Sequence, residues 1–145
     1  MAGTSSGKRT KSAEKGAGKS QELQLNVAVV SGVCSSPPEV RVLESGTRVA
    51  SLSVRAPARG GNGAAAGERA TSVPVTVWDP PAWIEALDAG EAVVVVGQVR
   101  RRFYARPGGV GSRVDLEAVA IARSRDRRRV DAALRRATAL LADLG

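Results

Sequence analysis

From residue 23 onward the chain alternates apolar and polar residues in short runs, a pattern typical of half-buried β-strands. A Glu-Ser-Gly turn at 44–46 predicts a hairpin between the second and third runs, and Pro-Gly-Gly at 107–109 predicts a longer hairpin between the last two. Six runs follow this pattern, and they correspond to five barrel strands when one arm of the first hairpin is merged with another strand. The runs are LQLNVAVVSGV (23–33), VRVL (40–43), TRVASLSV (47–54), TSVPVTVW (71–78), EAVVVVGQVRRRFY (91–104) and RVDLEAVAIA (113–122).

Two segments predict helices instead. DPPAWIEALDAG (79–90) predicts one short helix, with Asp79 as its N-cap, prolines in its first turn and Gly90 as its stop. From residue 124 to 144 apolar residues recur at spacings of four and three, which predicts an amphipathic helix. Its predicted apolar seam is Val130, Leu134, Ala137, Leu141 and Leu144. The element order predicts an all-β fold: a five-stranded Greek-key barrel of the OB type, with a short helix between strands 3 and 4 and a C-terminal amphipathic helix.

Composition divides the chain into three parts. Residues 1–22 are rich in Gly, Ser, Lys and Thr and have no apolar face, so they predict a disordered basic tail. Residues 23–122 form the predicted barrel domain, and residues 123–145 form the predicted basic helix. Within the barrel, PARGGNGAAAGERA (57–70) predicts a long loop between two strands; loops of this length are usually functional or disordered.

The segment AEKGAGKS in the tail partly matches the motif of a phosphate-binding loop. We interpret it as a chance match, because position 13 is alanine where the motif has glycine and no strand precedes it.

Charge points to a polyanionic partner. The net charge is +8, and the surplus lies at the two ends: residues 1–25 hold five basic and two acidic residues, and residues 123–145 hold seven and three. The partner class is nucleic acid or an anionic membrane surface.

The chain has no histidine and one cysteine, Cys34, so it cannot assemble a zinc site or a histidine-based catalytic pair. We therefore predict no enzyme activity, no cofactor and no metal. The longest apolar run, 92–96, is too short to span a bilayer, so we predict a soluble cytoplasmic protein.

The segment GQVRRRFYARPGG (97–109) carries two of the four aromatic residues directly after three arginines. Strand alternation places Arg100, Arg102 and Tyr104 on one face and Phe103 on the other. In the strand at 71–78, Trp78 points away from the inward-facing valines. Aromatic side chains stack with unpaired bases and arginines hold phosphates, so this pattern predicts a platform for single-stranded nucleic acid.

Each of these residues also has a simpler interpretation. In this simpler interpretation the arginine run is a solvated surface with no binding role, and Trp78 is a core residue. Phe103 is assigned to core or interface packing, and Trp83, four residues before Leu87 on the predicted helix, is assigned to the core. The acidic pair at 115 and 117 is interpreted as an exposed stripe on one strand face. The terminal helix has three interpretations: packing on the barrel, pairing with another subunit, or lying on a membrane. Its apolar seam has no aromatic anchor, so packing or pairing is favoured and we predict no membrane partner.

The barrel segments resemble a known family. Asn26-Val27, PPEVRVLESGTRVASLSV (37–54), VTVW (75–78) and AGEAVVVVGQVRRRFY (89–104) follow one another much as in bacterial single-stranded DNA-binding proteins (SSB). The resemblance covers about residues 26–122, and the Ala, Arg and Gly bias is similar to that of actinobacterial relatives. It implies an OB-fold, assembly as a homo-oligomer (tetramer or dimer), and binding of single-stranded DNA without sequence preference during replication, recombination or repair. It also implies nucleoid association.

The resemblance assigns binding roles to specific positions. Trp78 falls where the family has a stacking aromatic at the end of its third strand, and Tyr104 falls where it has one after its Arg-rich strand. Arg100 and Arg102 match basic positions of the family. The full predicted DNA-binding set is Arg55, Arg59, Trp78, Arg100, Arg102, Tyr104 and Arg106.

The resemblance does not extend everywhere. Ser72 stands where the family has an early tryptophan, the long loop has no aromatic, and the chain ends LLADLG on a basic helix rather than in the acidic tail that recruits partner proteins. With about two stacking residues, binding is expected to be weaker and more electrostatic, and therefore strongly salt-dependent. Two other functions stay open: a protein-interaction or oligomerisation module that has lost most DNA contacts, and an RNA-binding OB protein.

Overall fold

The structure is a computed structural model that describes residues 23–57 and 70–143. The predicted basic tail, most of the predicted loop and Arg59 within it lie outside the described residues. The strands are β1 (Ala28–Cys34), β2 (Glu39–Val42), β3 (Arg48–Pro57), β4 (Ala70–Trp78), β5 (Ala92–Arg106) and β6 (Gly109–Arg123). The helices are α1 (Ala82–Glu85) and α2 (Arg127–Ala142).

Five of the strands close into a barrel. The sheet order is β1-β5-β6-β4-β3-β2, and β1 also pairs with β3 through Val33 opposite Arg55 and Cys34 opposite Val54. β4 and β6 run parallel, whereas β1, β3 and β5 join their neighbours in antiparallel pairs. The short β2 pairs with β3 outside this closure. The structure thus confirms a mostly β protein with a closed five-stranded barrel and a C-terminal helix, an arrangement compatible with an OB-fold.

The barrel interior is filled by small aliphatic side chains from alternate strand positions. Val54, Val75, Val95 and Leu116 are at most 4% exposed, and Ile84 from α1 joins them. The strands end up in a barrel because each valine-rich run offers a side chain to this interior at every second position.

α1 is much shorter than the helix predicted over 79–90. It is a single turn, its N-cap is Pro81 rather than Asp79, and no side chain caps it. The chain leaves the helix at Ala86, and the next residue, Leu87, is 1% exposed in the barrel core. Burial of both Ile84 and Leu87 therefore shapes this segment more strongly than the capping residues do.

A β-bulge divides the β5–β6 pair. Val96 pairs with Ala120 but Gly97 pairs with Ala118, so β6 carries one extra residue. A Cβ atom at Gly97 would lie 2.3 Å from the carbonyl oxygen of Glu117, a separation that only glycine permits. Beyond the bulge the two strands continue past the barrel as a long hairpin, whose tip is the two-residue turn after Arg106.

α2 packs on the outside of β5 and β6. Ala133 and Ala137 are nearly fully buried together with Val96 of β5. The helix is capped by Asp126, whose side chain accepts a hydrogen bond of 3.2 Å from the backbone N–H of Arg129. Packing on the barrel is thus the interpretation of the helix that the structure supports. No helix among the described residues is long and apolar enough to cross a membrane.

The predicted seam of this helix was wrong in part. Ala137 of the predicted seam is buried, but Leu134 and Leu141 are 42% and 46% exposed. Leu144 lies outside the described residues. Ala133 and Leu140 face the barrel instead. Both lines are apolar and equally spaced, so periodicity alone does not choose between them. The alanine line lies against the sheet because its short side chains let the helix approach the strands closely.

Candidate nucleic-acid interface

The outward side of β3, β4, β6 and β5 forms one continuous surface, here called the strand face. Residues that lie directly opposite each other on paired strands point to the same side of a sheet, so the register defines this surface. Arg55 lies opposite Ser72, Thr76 lies opposite Glu117, and Arg100 lies opposite Asp115. The strand face comprises Arg55 of β3, Thr76 and Trp78 of β4, Arg100, Arg102, Tyr104 and Arg106 of β5, and Arg113, Asp115 and Glu117 of β6.

The structure brings six of the seven predicted binding residues onto this face. They come from three strands, β3, β4 and β5, which the closed barrel joins into one sheet with β6 between β4 and β5. The seventh, Arg59, lies outside the described residues. The six are Arg55, Trp78, Arg100, Arg102, Tyr104 and Arg106.

At the centre of the face is a buried carboxylate. Asp115 is 2% exposed, which contradicts its interpretation as part of an exposed acidic stripe. Its side chain accepts a hydrogen bond of 2.7 Å from the Thr76 hydroxyl and bonds of 3.0 and 3.3 Å from Nε of Arg102. The parallel pairing of β4 with β6 brings Thr76 to this position, and a buried carboxylate is tolerated because these donors satisfy it.

The same arginine contacts a tryptophan. Cζ of Arg102 lies 5.8 Å from the centroid of the Trp78 ring, within the range of a cation–π contact. Trp78 remains 40% exposed. Asp115 therefore holds Arg102, and Arg102 in turn supports the indole, which keeps an open surface toward solvent.

The second acidic residue bridges the two predicted phosphate-binding arginines. Oε1 of Glu117 lies 3.3 Å from Nη1 of Arg100, and its Oε2 lies 3.8 Å from Nη2 of Arg102. Both arginines are therefore ion-paired within the protein, a feature that the sequence interpretation missed. Counting outward from the hairpin turn puts residue 100 opposite 115, so Glu117 is a diagonal neighbour of Arg100 on the same side of the hairpin, and the register contained that signal.

Three other arginines of the strand face differ from Arg100 and Arg102 in their exposure and in their contacts. Arg55, Arg106 and Arg113 are exposed, and none has a described carboxylate within 4.0 Å. Among the described residues of this face, they are the arginines whose positive charge is open to an anion.

Tyr104 lies across the hairpin on the strand face. It is 47% exposed, and a Cβ atom added at Gly111 would lie 2.6 Å from Cζ of the tyrosine ring. The absence of a side chain at position 111 thus leaves room for the ring to lie flat over the neighbouring strand. Tyr104 and Trp78 are the two aromatic side chains that this face presents to solvent among the described residues.

The opposite side of the hairpin is open and mostly apolar, with the exposed Arg101 among its side chains. Phe103 is 69% exposed, so its assignment to the core was wrong, and interface packing is the interpretation left to it. Val99, Val110 and Val114 on the same side are 47%, 68% and 45% exposed. These four residues are called the apolar hairpin face. They lie here because the hairpin extends beyond the barrel, so side chains that continue the barrel's inner face have no interior left to fill.

Trp83 lies away from the strand face. It is partly buried against the barrel core, and the guanidinium carbons of Arg123 and Arg129 lie 5.2 and 5.9 Å from its ring centroid. It is thus a packing residue, as predicted, although two arginines cover it.

Cys34 is buried in the core. Burial raises the pKa of its thiol, and the negative charge of Glu91 raises it further.

The described residues contain no cluster of three or more His, Cys, Asp or Glu side chains able to hold a metal ion. No family model matches the chain, and no curated protein matches it.

Proposed function

We propose that the protein binds single-stranded DNA without sequence specificity through the strand face, as a member of the SSB family with an OB-type Greek-key barrel. In this assignment α1 is the short helix between the third and fourth barrel strands. The observation that carries the proposal is the exposure of Trp78 and Tyr104 on the same face as three arginines that have no described carboxylate within 4.0 Å.

The chemistry of the face suits a single strand. Unpaired bases stack on half-exposed aromatic rings whatever their sequence, and each such contact contributes about 1–3 kcal/mol. Arg55, Arg106 and Arg113 would hold the phosphates between stacked bases. A duplex hides the faces of its bases, so it would gain the electrostatic attraction alone.

The biological setting follows from this proposal. Protection of single strands during replication, recombination or repair, in the cytoplasm and at the nucleoid, is the role that the SSB resemblance implies. Assembly as a homo-oligomer is part of the same proposal. The apolar hairpin face supports it, since four large apolar side chains between 45% and 69% exposed are suited to burial against another subunit.

A second candidate is a protein-interaction or oligomerisation module with weak DNA binding. One observation favours it: Arg100 and Arg102, the two central arginines of the strand face, are already paired with carboxylates. An RNA-binding OB protein is the third candidate, because the same stacking and charge would accept RNA.

The test is fluorescence anisotropy with a labelled oligonucleotide of about 16 thymidines, near the upper site size of one OB-fold. Unlabelled oligo(dT), oligo(U) and duplex DNA serve as competitors. We expect oligo(dT) to compete best and Tyr104→Ala to weaken binding by about five- to 150-fold, the equivalent of one lost stacking contact of about 1–3 kcal/mol. Tyr104→Phe is the matched control, because it keeps the ring that would stack on a base and removes only the hydroxyl.

The competitors separate the three candidates. Equal competition by oligo(U) would identify an RNA-binding protein. Absence of binding to every oligonucleotide would leave the interaction module. Binding that is equal for duplex DNA and insensitive to Tyr104→Ala would mean that the arginines act as a general polyanion surface and would overturn the proposal.

A further inference from the structure

The two carboxylates of the strand face are held very differently. The side chain of Asp115 is fully buried, and its contacts with Thr76 and Arg102 lie between 2.7 and 3.3 Å. The side chain of Glu117 is 25% exposed, and its contacts with Arg100 and Arg102 are longer, 3.3 and 3.8 Å. Asp115 is thus a fixed part of the fold, whereas Glu117 is held only by two loose ion pairs at the surface.

The position of Glu117 is the one an incoming phosphate would need. A guanidinium binds a carboxylate and a phosphate with the same paired N–H donors, so each competes for the same arginine. Glu117 directs one carboxylate oxygen to Arg100 and the other to Arg102. It also lies on the strand next to β4, which carries Trp78.

We propose that Glu117 is an internal substitute for a phosphate group, and that single-stranded DNA binds by displacing it from Arg100 and Arg102. This inference rests on the proposed function, since it describes how that same face is opened to its ligand. Asp115 stays in place during the exchange and keeps Arg102 against Trp78.

The exchange makes charge and stacking act together. Two arginines and two carboxylates give this cluster no net charge, so phosphates alone gain little from approaching it. A strand that also stacks a base on Trp78 gains enough to displace Glu117. The cluster therefore favours strands with accessible bases over other polyanions.

Glu117→Gln tests this directly, since it keeps the size of the side chain and removes the competing charge. We expect it to bind oligo(dT) about three- to tenfold more tightly, because weak exposed ion pairs no longer oppose the phosphate. The cluster then carries one net positive charge, so the slope of log K against log salt should steepen by about 0.7, the value for one phosphate contact on a single strand.

Glu91→Gln is the matched control. It removes the same charge from a surface carboxylate that pairs with Arg123 rather than with the strand face. A gain that came only from higher net charge would be equal in the two variants, and that result would overturn the proposal. Thermal unfolding followed by circular dichroism establishes that both variants are folded.

A second pair of variants tests the arginine. Arg100→Gln should weaken binding less in the wild-type protein, where its phosphate contact is offset by the broken pair with Glu117, than in the Glu117→Gln background, where it should abolish the gain. An equal loss in both backgrounds would overturn the exchange. If the wild-type protein and Glu117→Gln both fail to bind any single strand, the proposed function fails together with this inference. If the wild-type protein binds single strands but Glu117→Gln binds no more tightly than Glu91→Gln, only this inference fails.

Discussion

Replacing Asp115 by alanine should destabilise the fold more than any other change to a charged residue of the strand face. The carboxylate is 2% exposed and is the acceptor for both the Thr76 hydroxyl and the Arg102 guanidinium. Its removal leaves Arg102, whose side chain is 30% exposed, without its closest counter-charge. It also leaves the buried Thr76 without a hydrogen-bond acceptor.

The magnitude follows from these contacts. Removing one partner of a buried ion pair costs about 3–5 kcal/mol. The lower end applies here, because Arg102 is partly exposed and Glu117 lies 3.8 Å away as a replacement partner. We therefore expect a loss of about 3 kcal/mol in the free energy of unfolding. For a domain of this size that corresponds to a fall in Tm of about 12–24 °C.

The assay is unfolding by heat and by urea, followed by circular dichroism. Asp131→Ala is the control, since Asp131 is an exposed aspartate on α2, and its replacement should change the free energy by about 0.5 kcal/mol or less. A cost below about 1 kcal/mol for Asp115→Ala would refute the view that this carboxylate is a buried structural charge.

A double substitution sharpens the test. Asp115→Leu alone leaves the arginine with only its longer ion pair to Glu117, whereas Asp115→Leu combined with Arg102→Met replaces the buried pair by apolar groups. Because a buried pair and its apolar replacement are often similar in stability, the double variant should be more stable than Asp115→Leu alone. It should nevertheless bind single strands weakly, since Trp78 loses its support. Additive destabilisation by the two changes would contradict the ion-pair account.

Three further predictions concern the barrel itself. The backbone N–H of Asp88 and the side chain of Arg123 hold the pKa of Glu91 below its ordinary value of 4.5. The stability that Glu91 contributes is therefore present above pH 4.5 and is lost as the pH falls through the lowered pKa. Tm measured from pH 7 downward should fall less steeply for Glu91→Gln than for the wild type. Gly97→Ala should lower the free energy of unfolding by about 1–3 kcal/mol in urea titrations, because its Cβ atom would meet a backbone carbonyl of β6, and an unchanged midpoint would show that the bulge yields freely. Cys34 should react slowly with a thiol-specific reagent in the native protein and rapidly in urea, because burial and the charge of Glu91 raise the pKa of its thiol; equal rates would mean that the thiol is accessible.

Much of the strand face was predictable from alternation. The placement of Arg100, Arg102 and Tyr104 on one side of a strand depends only on the two-residue period, and the structure contains no irregularity between them. Trp78 was placed on the same face by its position relative to the valines of its strand. The prediction failed at residue 115, because alternation states which side a residue faces but not whether a neighbouring strand covers it.

The helical segments show the same limit. The C-terminal helix was predicted from its period, yet Leu134 and Ala133 lie on adjacent lines that are both apolar. Only the flat surface offered by β5 and β6 selects the alanine line. Phe103 was assigned to a core or an interface because it is large and apolar, but the hairpin carries it beyond the end of the barrel, where this chain has no interior to receive it.

By itself, the sequence determined the strands, the terminal helix and the side of each strand that carries charge, because these depend on period and composition. The tertiary structure decided which charges remain available. Closure of the barrel and the parallel pairing of β4 with β6 bring Thr76, Arg102 and Asp115 together, and the register of the hairpin sets Glu117 against Arg100. Contacts between residues distant in the chain depend on register, twist and burial at once, and no local pattern of residues encodes all three.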